Sequence, residues 1–529
     1  MRKINFLLAG IATLFMASCS NDEPANNNGG ENVKGGNESY LAIKIVNPTG
    51  SRAAVAPDYT DGTEEEAKVN DVVFYLFKDG QAFDILDADG KPTGKNKVVP
   101  DELSLGTGDI NNVTQIYNPV LVLRHKKGDI PNQIVAVANT DLGDNVATVT
   151  ALKALVANYG TTTGGFIMTN AMVDGGELTP ITQANLAASV DIAKNNPIRI
   201  NIERVLARID VTLANAADAN GLWELAGETA GTEKLYAKLL SWAIHNEATT
   251  SHIIKNVDFG TATVDATTLP WTGWSSTDRS FWANATSDNV TIVTTYPNSW
   301  TSSNQTGSTY LQENTDQAHP TTLIVKAQIG TKNAAGELVP ATVANWNGLR
   351  YVGEVKLKEA MLSFLAGQNI NLVTKSEVDG GTAVNDITVD DIKFVNLTTD
   401  NDSYKVVPKL ADGVTIYEKA TDTTPMTTDK ANELLEKNLG SALIWNSGMT
   451  YYQYAIKHEI EGAPEGTTGI VRNHVYQIKI KSVGGLGTPV YNPGGIIIPS
   501  EVEFEESSMF AEIRVLSWRV VTNDVDLGK

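Results

Sequence analysis

Six histidines, 62 carboxylates and one thiol are the side chains from which this 529-residue chain could build catalysis or hold a metal. The histidines (His125, His245, His252, His319, His458 and His474) are scattered, and none sits in the His-Glu-x-x-His helix that holds zinc. His245 and His252 stand seven residues apart in HNEATTSH, which suits strand or loop positions better than a shared metal. Asp87-Ala88-Asp89-Gly90 has the look of a calcium loop. In that frame, however, Ile85 takes the first position and Asn96 the twelfth, where acidic oxygen donors belong. It reads as a hairpin turn. The chain has no Gly-x-Ser-x-Gly elbow and no phosphate-cradling glycine loop. Carboxylate pairs are plentiful by chance at this acidity, and none is matched as acid and base across a substrate. The residues point away from an enzyme and call for no cofactor and no metal.

The thiol is the exception. Cys19 is the only cysteine, and it ends a basic, then apolar, then small-residue stretch: Arg2 and Lys3, Ile4 to Phe15, Met16-Ala17-Ser18. That order resembles a bacterial lipoprotein signal over residues 1–19. In such a signal the cysteine is lipidated, with palmitate, and becomes the mature N-terminus. The apolar run is shorter than the roughly 20 residues a spanning helix needs. With no second cysteine there is no intrachain disulfide. Ser20-Asn21-Asp22-Glu23 follow directly, and an acidic stretch there resembles the signal sending some Gram-negative lipoproteins to the outer face. The expectation is a precursor anchored by lipid in the outer membrane and facing out.

Hydrophobic content of 42% supports real cores, and charged content of 19% is low, with 44 glycines and abundant Thr and Asn in its place. That mixture suits short strands and turns. A net charge of −21 argues against nucleic-acid binding, which requires a basic face. Residues 20–38 are polar and aperiodic, a tether. Residues 39–48 then alternate, with Leu41, Ile43 and Ile45 on one face, as a strand does. A loop follows, carrying Arg52.

Further strands are expected at Val69–Phe77, closed by a hairpin signal at Asp79-Gly80, and at 118–124, 133–139 and the long run 198–213. Beyond it come 236–246, 322–329, 350–358, 369–373, 451–456, 473–482 and 509–521. Helical spacing is sparse. Residues 148–159 place Leu152, Leu155, Val156 and Tyr159 on one stripe, and 428–439 group Leu434, Leu435 and Leu439 before Gly440. All nine tryptophans lie at or after Trp223, which suggests a boundary near residue 205. More than 300 residues is long for one sandwich, so insertions are expected. The stretch 259–320, with Trp271, Trp274, Trp282 and Trp300, reads as such a decoration. The class is mostly β, as sandwiches with a few short helices and long loops.

The last segment, 490–529, is set off by Pro493-Gly494-Gly495 and Pro499 and ends in a β-rich run from Phe510 to Val521. Ala511, Ile513 and Val515 share one face. The apolar side then switches to Leu516, Trp518 and Val520, which suggests a bend or bulge near Ser517. Apolar residues on both faces call for cover on both sides.

Taken together, these pieces resemble the fimbrillin family, shaft subunits of type V pili, and especially its short-fimbria, Mfa-like branch. The matching residues are Ala17-Ser18-Cys19, the Gly50-Ser51-Arg52-Ala53 loop and Glu203-Arg204-x-x-Ala207-Arg208. Later come Val471-Arg472-Asn473-x-x-Tyr476-x-Ile478-x-Ile480-Lys481-Ser482 and the closing Val515-Leu516-x-Trp518-Arg519-Val520…Val525-Asp526-Leu527. They span nearly the whole chain. Ser517 stands where some relatives have proline.

The resemblance implies two transthyretin-like β-sandwich domains, placed here at 53–205 and 206–489. Residues 20–52 become a removable propeptide, cut by an arginine-specific protease between Arg52 and Ala53. The departing strand, with Leu41, Ile43 and Ile45, vacates a groove. The donor region 490–529 of the next subunit fills it through Phe510, Ile513, Val515, Leu516, Trp518 and Val520. The implied partners are other copies of the chain, accessory pilus subunits, the protease, and the outer membrane before processing. The implied location is a fimbrium on the cell surface, supporting adhesion. The alternatives are an accessory anchor or tip adhesin, and a glycan-binding surface lipoprotein using Trp271, Trp274 or Trp282.

Overall fold

The computed structural model describes residues 37–48, 63–100, 113–158, 160–162, 165–171, 178–213, 217–254, 290–297, 299–301, 306–314, 316, 318–378, 381–399, 402–458, 468–493, 496–498, 508–516 and 520–523. Cys19, Arg52, Ala53, Trp518 and the Trp271, Trp274 and Trp282 group lie outside them.

The first fold is built from β1 (Asn37–Pro48), β2 (Val72–Lys78), β3 (Val113–Tyr117), β4 (Val120–His125), β5 (Gln133–Ala138), β6 (Met168–Asn170) and β7 (Ile198–Arg204). The sheet runs β2-β5-β6-β7-β1-β3, and β4 pairs the first half of β1. Asp79 and Gly80, both at positive φ, make the hairpin after β2, as their types predict. One face packs Phe74, Leu76, Leu123, Ile134, Ile200 and Ile202 into a core. The opposite face of β2 and β5 is covered too. Tyr75, Phe77 and Val137 meet Leu152 of a short helix (Val149–Lys153) and Ile253 and Ile254 from later in the chain. That double cover explains why β2 is apolar without alternation.

The chain leaves β7 at Arg204 and enters another sheet at Ala207, so the 198–213 run is two strands on either side of a joint. The second fold packs one sheet of β8 (Ala207–Thr212), β11 (Thr306–Leu311), β14 (Val475–Gly484), β15 (Ser508–Leu516) and β16 (Val520–Asn523). Its partner sheet holds β9 (Leu222–Ala230), β10 (Glu233–His245), β12 (Thr322–Lys332) and β13 (Met449–Ala455). Ile209, Val211, Trp242, Leu323, Val325, Tyr476 and Ile478 fill the space between. The protein is mostly β, in two β-sandwich folds.

Several sequence expectations are corrected. The helix expected over 148–159 stops at Lys153, and Val156 pairs as strand with His252; the β-branched valine favours that extended pairing. Residues 350–358 are not one strand. A strand ends at Val352, Gly353 turns at positive φ, and a helix runs Glu354–Gly367 with Leu357, Met361 and Leu365 buried at four-residue spacing. The strand expected at 369–373 begins only at Val373. The helix Thr428–Leu439 matches its expected range, with Thr427 as N-cap and Gly440 beyond. Both helices belong to an insertion between β12 and β13 with its own core, including Trp346, Met361, Phe394 and Leu435.

Candidate functional site

β1 is an interior strand of the first fold, held on both sides. Along one side it runs antiparallel to 113–125, from Pro48 opposite Val113 to Asn37 opposite His125. Ile43 N–H bridges the interruption by donating to Pro119 O at 2.9 Å. Along the other side it is parallel to β7, with Ile43 opposite Ile198 and Ile45 opposite Ile200. Leu41 and Ile43 are 0% and 1% exposed, in the same core as Ile198 and Ile200. Ser39 Oγ and His125 Nε2 hydrogen-bond at 2.8 Å. Taking β1 away leaves two unpaired strand edges facing an apolar slot, the kind of surface folded proteins hide.

Thr63 caps a one-turn helix (Glu64–Ala67) in a capping box with Glu66. Glu66 is 1% exposed and reaches the second fold: Tyr310 Oη donates to its carboxylate at 2.7 Å and Arg208 Nη1 at 3.1 Å. Burial alone would raise this carboxyl. The hydrogen bonds from Tyr310 and the Thr63 amide, with the charges of Arg208 and Arg204, outweigh it and hold the group below its ordinary value. Arg204 at the end of β7 donates through Nη1 to Asn473 Oδ1 at 3.1 Å. Asn473, at positive φ, donates its own N–H to Leu206 O at 2.8 Å.

Arg472 makes the second tie. It is 0% exposed, and its Nε donates to Glu313 Oε2 at 2.7 Å. Its Nη1 donates to Ile253 O at 3.0 Å and its Nη2 to His252 O at 2.6 Å. It thereby fixes the segment whose isoleucines cover the first fold. Tyr476 Oη accepts from Val471 N–H at 2.7 Å and bonds His458 Nδ1 at 2.7 Å. The two mid-chain motifs, separated by more than 260 residues, therefore meet at one junction. There β7 passes into β8 through Val205 and Leu206, and β8 runs parallel to β14. Sequence spacing assigned them no such role.

At the C-terminus β15 lies antiparallel to β14, with Ile513 opposite Ile478, Val515 opposite Tyr476 and Phe510 opposite Ser482. The single run with a bulge at Ser517 is corrected. Leu516 pairs with Val520, so the chain reverses and β16 returns along β15 as the sheet's outermost strand. The switch of apolar side between Val515 and Leu516 marks that reversal. Asp87–Gly90 forms a tight turn, with Gly90 N–H donating to Asp87 O at 3.0 Å and Asp87 Oδ1 accepting from the Asp89 and Lys91 amides. His252 Nδ1 bonds Lys153 O at 2.7 Å. Among the described residues no three His, Cys, Asp or Glu are grouped to hold a metal ion.

Residues 39–204 match the family model described as major fimbrial subunit protein (FimA). Residues 444–524 match that of major fimbrial subunit protein type IV, fimbrillin, C-terminal. The first match coincides with β1 through β7, the second with β13 through β16. A solved structure from Parabacteroides distasonis ATCC 8503, described as a candidate cell adhesion protein, is similar at 12% identity and TM-score 0.40. The alignment covers 93% of this chain and 100% of that one. No curated protein matches the chain.

Proposed function

The chain carries fimbrillin-family sequence at both ends, and from that premise we propose that it is a structural subunit of a surface pilus that polymerises by exchanging strands. The precursor is exported as a lipoprotein on Cys19 and reaches the outer membrane. An arginine-specific protease cuts between Arg52 and Ala53. β1 departs with the propeptide, and the terminal strand of a neighbouring copy, Phe510 to Val520, takes its slot. The domains are those bounded near residue 205, and accessory subunits cap or anchor the fibre.

The observation that carries this reading is the position of β1. It is an interior strand of its sheet, paired on both sides and buried in the core, yet joined covalently to the rest of the first fold only through 49–62, the stretch containing Arg52. Burying Leu41 and Ile43 is worth about 3–6 kcal/mol, before any backbone pairing. Losing β1 is unfavourable unless an equivalent strand replaces it, and strand addition restores the pairing and the burial together. While β1 stays attached it holds the slot at a high effective concentration, so cleavage is the switch. In the uncut chain the donor segment is folded back as β15 and β16, the outermost pair of its sheet beyond β14, and the two can leave together without opening the strand order behind them. No chemical step is required of the protein.

The test is the Arg52→Ala chain beside the unaltered one, each exposed to an arginine-specific protease. Unaltered protein is expected to yield a surface form starting at Ala53 by mass spectrometry and to form fibres by electron microscopy. The variant is expected to stay monomeric. Fibres of ordinary length from Arg52→Ala would defeat the proposal, and a mature form retaining lipidated Cys19 would make the chain an anchor instead.

A further inference from the structure

Between the two folds lies an open cavity of about 700 Å³, within the range of small-molecule sites, which gather at domain junctions. The first fold contributes Asn158 and Gly160; the second contributes the end of β10, the turn to Thr249, and β11 with Gln312. β11 pairs with β8 along one edge only and is the terminal strand of its sheet. Leu206, Ile244, Val293 and Leu311 supply apolar contact, and among the described residues no lysine or arginine lines the space.

Two lining residues carry buried polar atoms with no hydrogen-bond partner among the described residues. Gln312, 6% exposed, donates from Nε2 to Asn158 Oδ1 at 3.1 Å, and its Oε1 is left over. His245, 5% exposed, has Nδ1 left over. Burial lowers the pKa of His245, so that ring stays neutral, and burial raises the Glu247 carboxyl. A buried group without a partner is costly, and a ligand able to supply one would recover that cost.

We propose that this cavity binds a neutral saccharide. Hydroxyls at Thr291 and Thr309 can donate or accept, as sugar hydroxyls do, the Ser308 hydroxyl, which donates to Asp210 at 2.7 Å, can still accept, and Gln312 Oε1 can accept. An anion finds no cation among the described lining residues and meets a chain of net charge −21. A purely apolar ligand would leave the two buried polar atoms unsatisfied. The inference stands apart from strand exchange, since the described lining comes from β10, β11 and the segments around Asn158, Thr249 and Thr291.

The experiment is saturation-transfer difference NMR on the full chain with D-galactose, D-mannose, N-acetyl-D-glucosamine and lactose. N-acetylneuraminic acid serves as the anionic probe and a five-residue threonine-valine peptide as the strand-like one. At least one neutral sugar is expected to bind. Its Kd is expected to rise at least fivefold in both Gln312→Leu and Thr291→Val, and the acid is expected to give no signal. Thr291 is exposed, so its variant keeps the test valid if Gln312→Leu does not fold. No signal from all four neutral sugars, binding of the peptide alone, or sugar binding unchanged in Thr291→Val would overturn the proposal.

Discussion

Arg472 and Glu66 illustrate how single residues serve assembly without chemistry. Arg472 is fully buried with Glu313, itself 1% exposed. Replacing it with methionine leaves Glu313 as an uncompensated buried charge, so Arg472→Met is expected to lose about 3–5 kcal/mol in urea unfolding. An unchanged midpoint would mean that Glu313 finds water or another partner. Glu66 makes a pH-dependent tie. Its folded pKa lies below the ordinary 4.5. Its contribution is therefore complete above that value and is lost as pH falls through the lower, folded one. The melting temperature of the native chain should drop more steeply below about pH 4.5 than that of Glu66→Gln, and parallel curves would contradict this. These two residues also mark a limit of sequence reading. Arg204, Arg208 and Arg472 were visible as motif residues, but nothing in their spacing indicated that they meet across a joint between folds. That follows only from β8 lying parallel to β14.

At the level of elements, alternation read the strands well wherever one face is buried and the other is not. β1 shows Leu41 and Ile43 inside as expected, and β14 was legible from Tyr476, Ile478 and Ile480. Failures came where two signals overlap. Around Val352–Leu357 an extended segment passes straight into a helix at Gly353, and short alternation there hid the longer Leu357–Met361–Leu365 spacing. At Leu516 the reversal looked like a bulge because both leave the same shift in apolar phase. The insertion was foreseen only as excess length, because its core forms from segments distant in sequence. If β1 is a filler strand, its core side chains must matter to the uncut fold. Ile43→Ala is expected to cost about 2–5 kcal/mol, measured by thermal unfolding of the uncut chain. A loss under 0.5 kcal/mol would show the slot to be indifferent to its occupant. Truncation before Met509 is expected to give a folded, soluble chain that does not polymerise after cleavage; fibres from it would place the donor elsewhere.

For the molecule as a whole, the proposed exchange, with a strand given at one end and received at the other, is a head-to-tail contact, which extends into a filament instead of closing. Removing residues 1–52, with five Lys and Arg against four Asp and Glu, takes the chain's net charge from −21 to −22, which opposes lateral clumping of such filaments at low salt. The central claim is that the terminal strand leaves its own sheet to complete another copy. Lys479 and Glu512 are register partners in the β14–β15 pair, and the chain has no cysteine beyond Cys19. A chain with Lys479→Cys and Glu512→Cys can therefore be locked by oxidation, cleaved after Arg52, and followed by electron microscopy with and without reductant. The account predicts monomers while the disulfide holds and fibres once it is reduced. Fibres of equal length and number from the oxidised protein would contradict it.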